Sequence, residues 1–320
     1  MRRIEATVRT AALFLAVACA PMREVPRTPE ATATVSRGQE AIARASAAER
    51  LYGNYCATCH GSSGNGRGVT AKYLGLPRPR DLTSGVYKFR STASGQLPLQ
   101  ADLARTVEWG VSGTVMPGFG EVLSSGDIGA VVKYIEGFSP RFGKEPEAGR
   151  AVVPVPTPPK ESAEALRRGR LVYLAMGCWN CHGASGRGDG PAAPTLENQD
   201  GEPTRATDFR RGVFKGGAAP ERLYRTLATG LDGTPMPAYL EALAVVRDLG
   251  EDLSALKPVV SAGELAELTT FLGSQPSAEA FYALSDEERA RLAEDWRWSL
   301  VYYVRSLSGG RSFWKALFGL

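Results

Sequence analysis

Two short motifs in this chain carry the residue types needed to attach and ligate a haem. They are CATCH and CWNCH, and they contain the only two histidines of the 320-residue sequence. In the C-x-x-C-H pattern, two thiols add to the vinyl groups of a porphyrin and the adjacent imidazole binds the iron. The sequence therefore predicts two covalently bound haem c groups, held by Cys56, Cys59 and His60 and by Cys178, Cys181 and His182.

Cysteines two residues apart also occur in structural zinc sites and in thioredoxin-like redox centres. Two such pairs can bind one zinc ion, but here more than a hundred residues separate the pairs, and His and Gly follow each pair directly. A thioredoxin-like dithiol is expected in a βαβ context, which this sequence lacks. The haem interpretation is favoured because the complete motif occurs twice.

Two methionines are the candidates for the second axial ligand of each iron. Both histidines are already used, and a methionine thioether is the remaining soft neutral donor. Met116 and Met236 each precede a proline and follow the motif histidines by 56 and 54 residues. A residue before proline favours extended backbone, which suits a loop that carries one side chain to a metal. Met176 lies two residues before a motif cysteine and is expected in the core instead.

The chain contains two copies of one unit. Residues 80–89, RDLTSGVYKF, correspond to residues 207–216, TDFRRGVFKG. The offset between the copies is 122 at the motif histidines, 127 at Lys88 and Lys215, and 120 at the two candidate methionines. Internal similarity of this kind indicates repeated domains. We place the first repeat at residues 45–140 and the second at residues 161–309.

Each repeat is expected to begin and end with a helix. AAERLYGNY predicts a helix that runs into the first motif, with Leu51, Tyr52 and Tyr55 as candidate buried positions. The closing helices are predicted over residues 123–139 and 284–308, and the second has a good start signal in a serine followed by acidic residues.

The segments outside the common unit have distinct compositions. Residues 141–160 include VVPVPTPP, which favours an extended, semi-rigid linker. The offset rises to 169 between Tyr134 and Tyr303, so about 49 extra residues lie near 240–283, where we expect two short helices. They would form a docking surface, a cover over the Met236 side of the haem, or a structural elaboration.

The N-terminus predicts export. Basic residues precede a short apolar run, as in a secretory signal peptide over residues 1–18. The run ends in AVAC, which is similar to a lipoprotein cleavage site with Cys19 as the lipidated residue; ordinary cleavage after Ala20 is the alternative. Residues 19–44 lack apolar periodicity and suit a flexible tether. Residues 310–320 form a tail that would pack on its own domain or touch a partner or a membrane.

The composition is that of an ordinary globular protein, with 43% hydrophobic and 22% charged residues. A net charge of +4 gives no case for nucleic acid binding. The apolar run near the N-terminus is too short for a membrane-spanning helix.

Both repeats resemble class I c-type cytochromes, through CATCHG with MPGF and CWNCHG with MPAY. The resemblance implies an all-α fold: two tandem class I cytochrome c-like domains joined by the Pro-rich linker, with crossing terminal helices and one haem edge exposed. It also implies that a proline carbonyl accepts the second N–H of each motif histidine. The candidates are Pro77 or Pro79 and Pro191 or Pro194. As propionate partners we consider Arg80, Lys88 and Lys215.

These features predict an exported, periplasmic, lipid-anchored electron carrier rather than an enzyme. The expected partners are redox proteins of a respiratory chain: a donor dehydrogenase or quinol-oxidising complex and an acceptor oxidase or reductase. The alternatives are a dihaem subunit of a larger oxidoreductase, an enzyme acting on a small inorganic compound, and a sensor module. A dihaem peroxidase would need a bis-histidine haem, which two histidines cannot supply.

Overall fold

The computed structural model describes residues 46–239 and 253–308, and these residues belong to one compact unit. The signal peptide, Cys19, the tether, the first inserted helix and the tail lie outside the described residues. Within them the chain is helical, with no strand and two isolated β-bridges. The all-α prediction is confirmed. The helices are α1 Ala47–Tyr55, α2 Ala57–His60, α3 Gln100–Trp109, α4 Ser125–Glu136, α5 Arg141–Lys144, α6 Ala163–Ala175, α7 Trp179–His182, α8 Pro220–Thr229, α9 Ala262–Ser274, α10 Ala278–Tyr282 and α11 Asp286–Ser306.

Serine caps start the helices that frame each repeat. The Ser124 hydroxyl accepts from Asp127 N at 3.1 Å, and the Asp127 carboxylate accepts in return from the serine N–H. Ser285 and Glu288 form the same capping box at the start of α11. These contacts satisfy backbone donors that the first helical turn would otherwise leave unpaired.

The first and last helices of each repeat pack against each other, as the resemblance implied. α1 contacts α4 in the first repeat, and α6 contacts α11 in the second. A tyrosine pair marks each crossing, with ring centroids 5.3 Å apart for Tyr52–Tyr134 and 5.3 Å for Tyr173–Tyr303. The two repeats therefore use equivalent side chains at equivalent helix contacts.

A glycine allows the second of these crossings to be close. A Cβ atom at Gly169, within α6, would lie 2.0 Å from the Ser299 carbonyl oxygen of α11. Glycine in a helix interior normally costs stability relative to alanine. Here it is needed because the partner backbone occupies the position of a side chain.

Each repeat has its own hydrophobic core. Tyr52 is buried in the first and Met176 in the second, as predicted. Leu51 is only half-buried, and Tyr55 is wrong as a buried position because it is 39% exposed. The α1 surface that faces α4 is centred on Tyr52, and the Tyr55 ring instead lies against Phe119 at a centroid distance of 5.9 Å.

The linker, residues 141–160, contains one helical turn and contacts both repeats. It opens with the helical turn α5, whereas residues 151–160 adopt no helix, as their prolines favour. Val153 N donates to Ser91 O of the first repeat at 2.8 Å, while the Val153 side chain is 4% exposed in the core of the second. The linker therefore packs on both repeats rather than holding them apart.

The described part of the insertion packs on the second repeat. Helix α9 contacts α6, with Leu268 and Leu272 in the core. Glu264 accepts from Arg170 Nε at 2.6 Å. Residues 253–283 contribute nothing to the lining of the haem cavity described below, which favours a structural role for this part.

Candidate haem sites

The two haem motifs have the same local structure. In each, one helical turn follows the first cysteine, and the histidine N–H donates to the carbonyl of that cysteine at 2.9 Å. A single turn brings the cysteines and the histidine onto one short element, α2 in the first repeat and α7 in the second. The spacing of the motif is thus the spacing of one turn of helix.

Each motif histidine is oriented by a backbone carbonyl. His60 Nδ1 lies 3.0 Å from Arg80 O, and His182 Nδ1 lies 3.1 Å from Thr207 O. Because a carbonyl oxygen can only accept, Nδ1 carries the proton and Nε2 keeps its lone pair for a metal. Burial lowers the pKa of both histidines, which favours the neutral imidazole that a metal binds.

The prediction of a proline acceptor is wrong. It named Pro77 or Pro79 in the first repeat and Pro191 or Pro194 in the second. The observed acceptors occupy matching positions of the repeat, 127 residues apart. Any residue can supply a backbone carbonyl as the hydrogen-bond acceptor, so the residue type did not indicate which one does. The alignment of the two repeats did indicate it, because the two acceptors occupy matching positions.

The glycine-rich turn after each motif positions these carbonyls. Gly66 and Gly188 have φ of +73° and +77°, and each N–H donates to the preceding motif histidine's carbonyl at 2.8 Å. A Cβ atom at either glycine would lie 2.6 Å from a carbonyl oxygen, of Pro79 and of Ala206 respectively. Only glycine permits such close contact with the backbone at these two positions. The contacted residues directly precede Arg80 and Thr207, so the contact brings the accepting carbonyl close to each imidazole.

Two tyrosine hydroxyl contacts, which sequence reasoning did not predict, also support the motifs. The Tyr52 hydroxyl donates to Gly61 O at 2.8 Å, and the Tyr173 hydroxyl donates to Gly183 O at 2.6 Å. Each glycine directly follows a motif histidine, so the tyrosine ties the N-terminal helix to the end of the motif. The repeated offset of 121 between the two tyrosines was the available signal.

The candidate methionines lie on loops of matching geometry. Met116 O accepts from Val111 N at 3.0 Å, and Met236 O accepts from Leu231 N at 3.1 Å. A threonine two residues earlier accepts from each methionine N–H, at 3.2 Å and 3.3 Å. Gly110 and Gly230 precede the two loops and lie close to the methionine carbonyls. A Cβ atom at Gly110 would lie 2.6 Å from Met116 O, and one at Gly230 would lie 3.0 Å from Met236 O.

One cavity brings together the site residues of the second repeat. Its walls are mainly apolar. The lining includes all four predicted residues of this site: Cys178, Cys181, His182 and Met236. Phe209 stacks on the His182 ring at a centroid distance of 4.3 Å. Apolar walls, two attachment thiols, an imidazole and a thioether in one lining fit a haem c, whose iron His182 and Met236 would ligate.

For the first repeat, the support for Met116 is the match of its loop to the Met236 loop. Phe119 N donates to Val107 O at 2.9 Å, and Tyr239 N donates to Leu227 O at 2.7 Å. Each loop is thus attached at both of its ends in the same way. The assignment of Met116 to the iron beside His60 remains a prediction on this basis.

The motif cysteines do not form a shared metal site. Cys56 is buried and the other three are half-buried. Burial raises the pKa of Cys56 to about 11 and that of Cys178 to about 12. Among residues 46–239 and 253–308, no three Cys, His, Asp or Glu side chains converge as metal ligands do. The zinc alternative is therefore not supported in this part of the chain.

The candidate propionate partners fall in one region. Lys215 lines the cavity of its own repeat, and Lys88 of the first repeat lines the same cavity. Arg80 is not among the lining residues, although its guanidinium Nη1 would be 3.1 Å from a Cβ atom at Gly233. A contribution of the first repeat to the second cavity was not predicted.

Comparisons with known proteins agree with this arrangement. Residues 43–135 match the family model described as cytochrome c oxidase, cbb3-type, subunit III, and residues 166–276 match the cytochrome c model. No curated protein matches the chain significantly.

No helix in the described residues is long and apolar enough to span a membrane.

A solved structure is also similar to the chain. It is from the Kuenenia stuttgartiensis reducing HAO-like protein complex Kustc0457/Kustc0458, with 31% sequence identity and a TM-score of 0.64. The match covers 83% of this chain and 97% of the other. The chain therefore belongs to the cytochrome c family, as a dihaem member with two cytochrome c domains in tandem and two covalently bound haem c groups.

Proposed function

We propose that this protein is an exported carrier of single electrons between respiratory redox partners. Cytochrome c domains imply electron transfer. The donor would be a dehydrogenase or a quinol-oxidising complex, and the acceptor an oxidase or a reductase. A bound haem supplies one-electron chemistry at its iron. The protein's part is to hold that group rigidly, in apolar surroundings and with both axial positions filled.

The observation that carries this proposal is the presence of both His182 and Met236 in the lining of one cavity. The carbonyl of Thr207 holds His182 Nδ1 and leaves Nε2 for the iron. The Met236 loop supplies a thioether to the same cavity. Two strong protein ligands leave no open position at which a substrate could be activated, so electron transfer through the haem edge is the chemistry that this site supports.

Carbon monoxide tests the proposal, because it binds ferrous haem only where an axial position is open or weakly held. The visible spectrum of the dithionite-reduced protein is recorded before and after addition of the gas. We expect neither haem to respond. A shift of one haem spectrum would mark an open site and would favour the enzyme or sensor alternatives.

A second candidate function is that of a dihaem subunit in a larger oxidoreductase. It is favoured by the similarity to a chain from a complex of reducing HAO-like proteins, over nearly the full length of that chain. Purification of the tagged protein at native expression, followed by mass measurement of the intact assembly, separates the two. A stoichiometric oxidoreductase partner supports the subunit role, and a free monomer supports the mobile carrier.

We also propose that the mature protein is a lipoprotein on the periplasmic side of a membrane, anchored through Cys19. The support is the signal-like segment that ends at this cysteine and the use of the other four cysteines by the haem motifs. Acyl chains on one residue would hold the tether at a membrane surface. Cys19→Ser should release the holoprotein into the soluble periplasmic fraction, and unchanged membrane association would contradict the anchor.

A further inference from the structure

The second haem cavity is not built from the second repeat alone. Lys88 and Phe89 of the first repeat belong to its wall, next to Lys215 and Gly216 of the second. A Cβ atom at Gly216 would lie 3.3 Å from the Phe89 ring, so the two segments are in direct contact. In the repeat alignment Lys88 corresponds to Lys215, and both reach the same cavity.

The segment that carries Lys88 is fixed to the second repeat by its neighbour Arg90. Arg90 Nη2 donates to Thr229 O at 2.6 Å and to Asp232 Oδ1 at 2.7 Å. The Arg90 side chain is fully buried, with 0% exposure. Residues 229–232 lead directly into the Met236 loop, so this contact joins the Lys88 segment to the loop of the second site.

The charges near Lys88 require an anion. Lys88 and Lys215 make no ion pair or hydrogen bond within the described part of the chain. Burial, with the positive charges of Arg80 and Lys215, lowers the pKa of Lys88 to about 8, although the negative charge of Asp200 acts in the opposite direction. Burial also lowers the pKa of Lys215. Two partly buried cations without an ion-pair partner among the described residues are costly unless a ligand brings further negative charge.

A haem carries two propionate groups, which are the anions that such a cavity would receive. We propose that Lys88 of the first repeat binds a propionate of the second haem together with Lys215, so that the first repeat sets the reduction potential of the second haem. A nearby positive charge disfavours the more positive, oxidised haem. The inference rests on haem occupying the second cavity but is independent of the sixth ligand and of the partners proposed above.

The test is a spectroelectrochemical titration of the full-length holoprotein and its lysine variants. The second haem's wave is identified first, as the wave that is missing when Cys178 and Cys181 are both changed to Ser. We then expect Lys88→Gln and Lys215→Gln to shift this same wave to lower potential. Lys88→Arg retains the charge and should return the wave towards its original position.

Lys144→Gln is the matched control, because it removes an exposed lysine at the start of the linker and changes the net charge equally. It should leave the second wave where it is. The inference is overturned if Lys88→Gln shifts the first haem's wave as much as or more than the second, or shifts neither. Reaction with carbon monoxide would overturn the carrier function without affecting this comparison, so the two failures are distinguishable.

Discussion

Arg90 and Asp232, 142 residues apart, form an ion pair that joins the two cytochrome c domains, with the Arg90 side chain fully buried and the Asp232 side chain 17% exposed. Arg90 Nη2 lies 2.7 Å from Asp232 Oδ1, and the Asp232 carboxylate also accepts from Ser94 Oγ and Gly95 N at 2.9 Å each. The remaining Arg90 donors bond the carbonyls of Tyr87 and Ala93. These three donors all belong to the first repeat, whereas Asp232 belongs to the second. The aspartate therefore holds the two domains together through several hydrogen bonds.

Arg90→Met should destabilise the holoprotein by about 3 kcal/mol, because removal of one partner of a buried ion pair leaves the other charge uncompensated. Several carbonyls would also lose their donor. Chemical denaturation followed by circular dichroism measures the change. Arg67→Met, at an exposed arginine without an ion pair in the described structure, should change stability by less than about 0.5 kcal/mol. Equal effects of the two substitutions would refute the role of the pair.

Gly169→Ala should destabilise the second domain by about 2 kcal/mol, in the range for an overpacked contact. The added methyl would be 2.0 Å from Ser299 O, so α6 and α11 would have to separate. The matched control is Gly129→Ala on α4, where a Cβ atom meets nothing within 4 Å. That substitution should stabilise by about 0.5 to 1 kcal/mol through helix propensity. Thermal unfolding measures the change in stability of each variant. A change of the same sign in both variants would contradict the close crossing of α6 and α11.

Tyr173→Phe should cost about 1 kcal/mol, the usual value of a lost hydrogen bond. The substitution removes the donor to Gly183 O but keeps the ring contact with Tyr303. Differential scanning calorimetry measures the loss at neutral pH. No loss of stability would mean that the hydroxyl does not tie α6 to the haem motif.

The same tyrosine predicts a pH dependence. Burial raises the pKa of Tyr173 above its ordinary value. Its contribution to stability is complete below about pH 10, where the unfolded chain is also protonated, and is lost as the pH rises towards the folded-state pKa. Wild-type stability should therefore decline above about pH 10, and Tyr173→Phe should decline less. Parallel pH profiles for the two proteins would contradict this assignment.

Features that recur at a fixed spacing could be predicted from the sequence. The haem motif, the methionine loop and the lysine at position 88 or 215 each occur once in both repeats, so the alignment of the repeats shows them. The acceptors of the histidine N–H were missed because a backbone carbonyl carries no residue signature. Tyr55 was placed wrongly because a short amphipathic helix does not specify how wide its buried face is.

The contact between the domains could not be predicted. Arg90 aligns with Gly217 in the second repeat, so the ion pair with Asp232 is made only once and leaves no repeated pattern. The two residues are also distant in sequence and lie outside any recognisable motif. The role of Lys88 in the second cavity depends on this contact and was missed for the same reason.

The proposed electron transfer depends most on Met116 and Met236 as axial ligands, and a redox titration of their histidine variants tests this assignment most directly. Histidine in place of methionine should lower the potential of the mutated haem, since Met/His ligation raises the potential relative to ligation by nitrogen alone. Met116→Leu and Met236→Leu, which supply no donor, should each open one haem to carbon monoxide. We expect each histidine variant to shift one wave and leave the other nearly unchanged. Two unchanged waves in either variant would contradict the assignment.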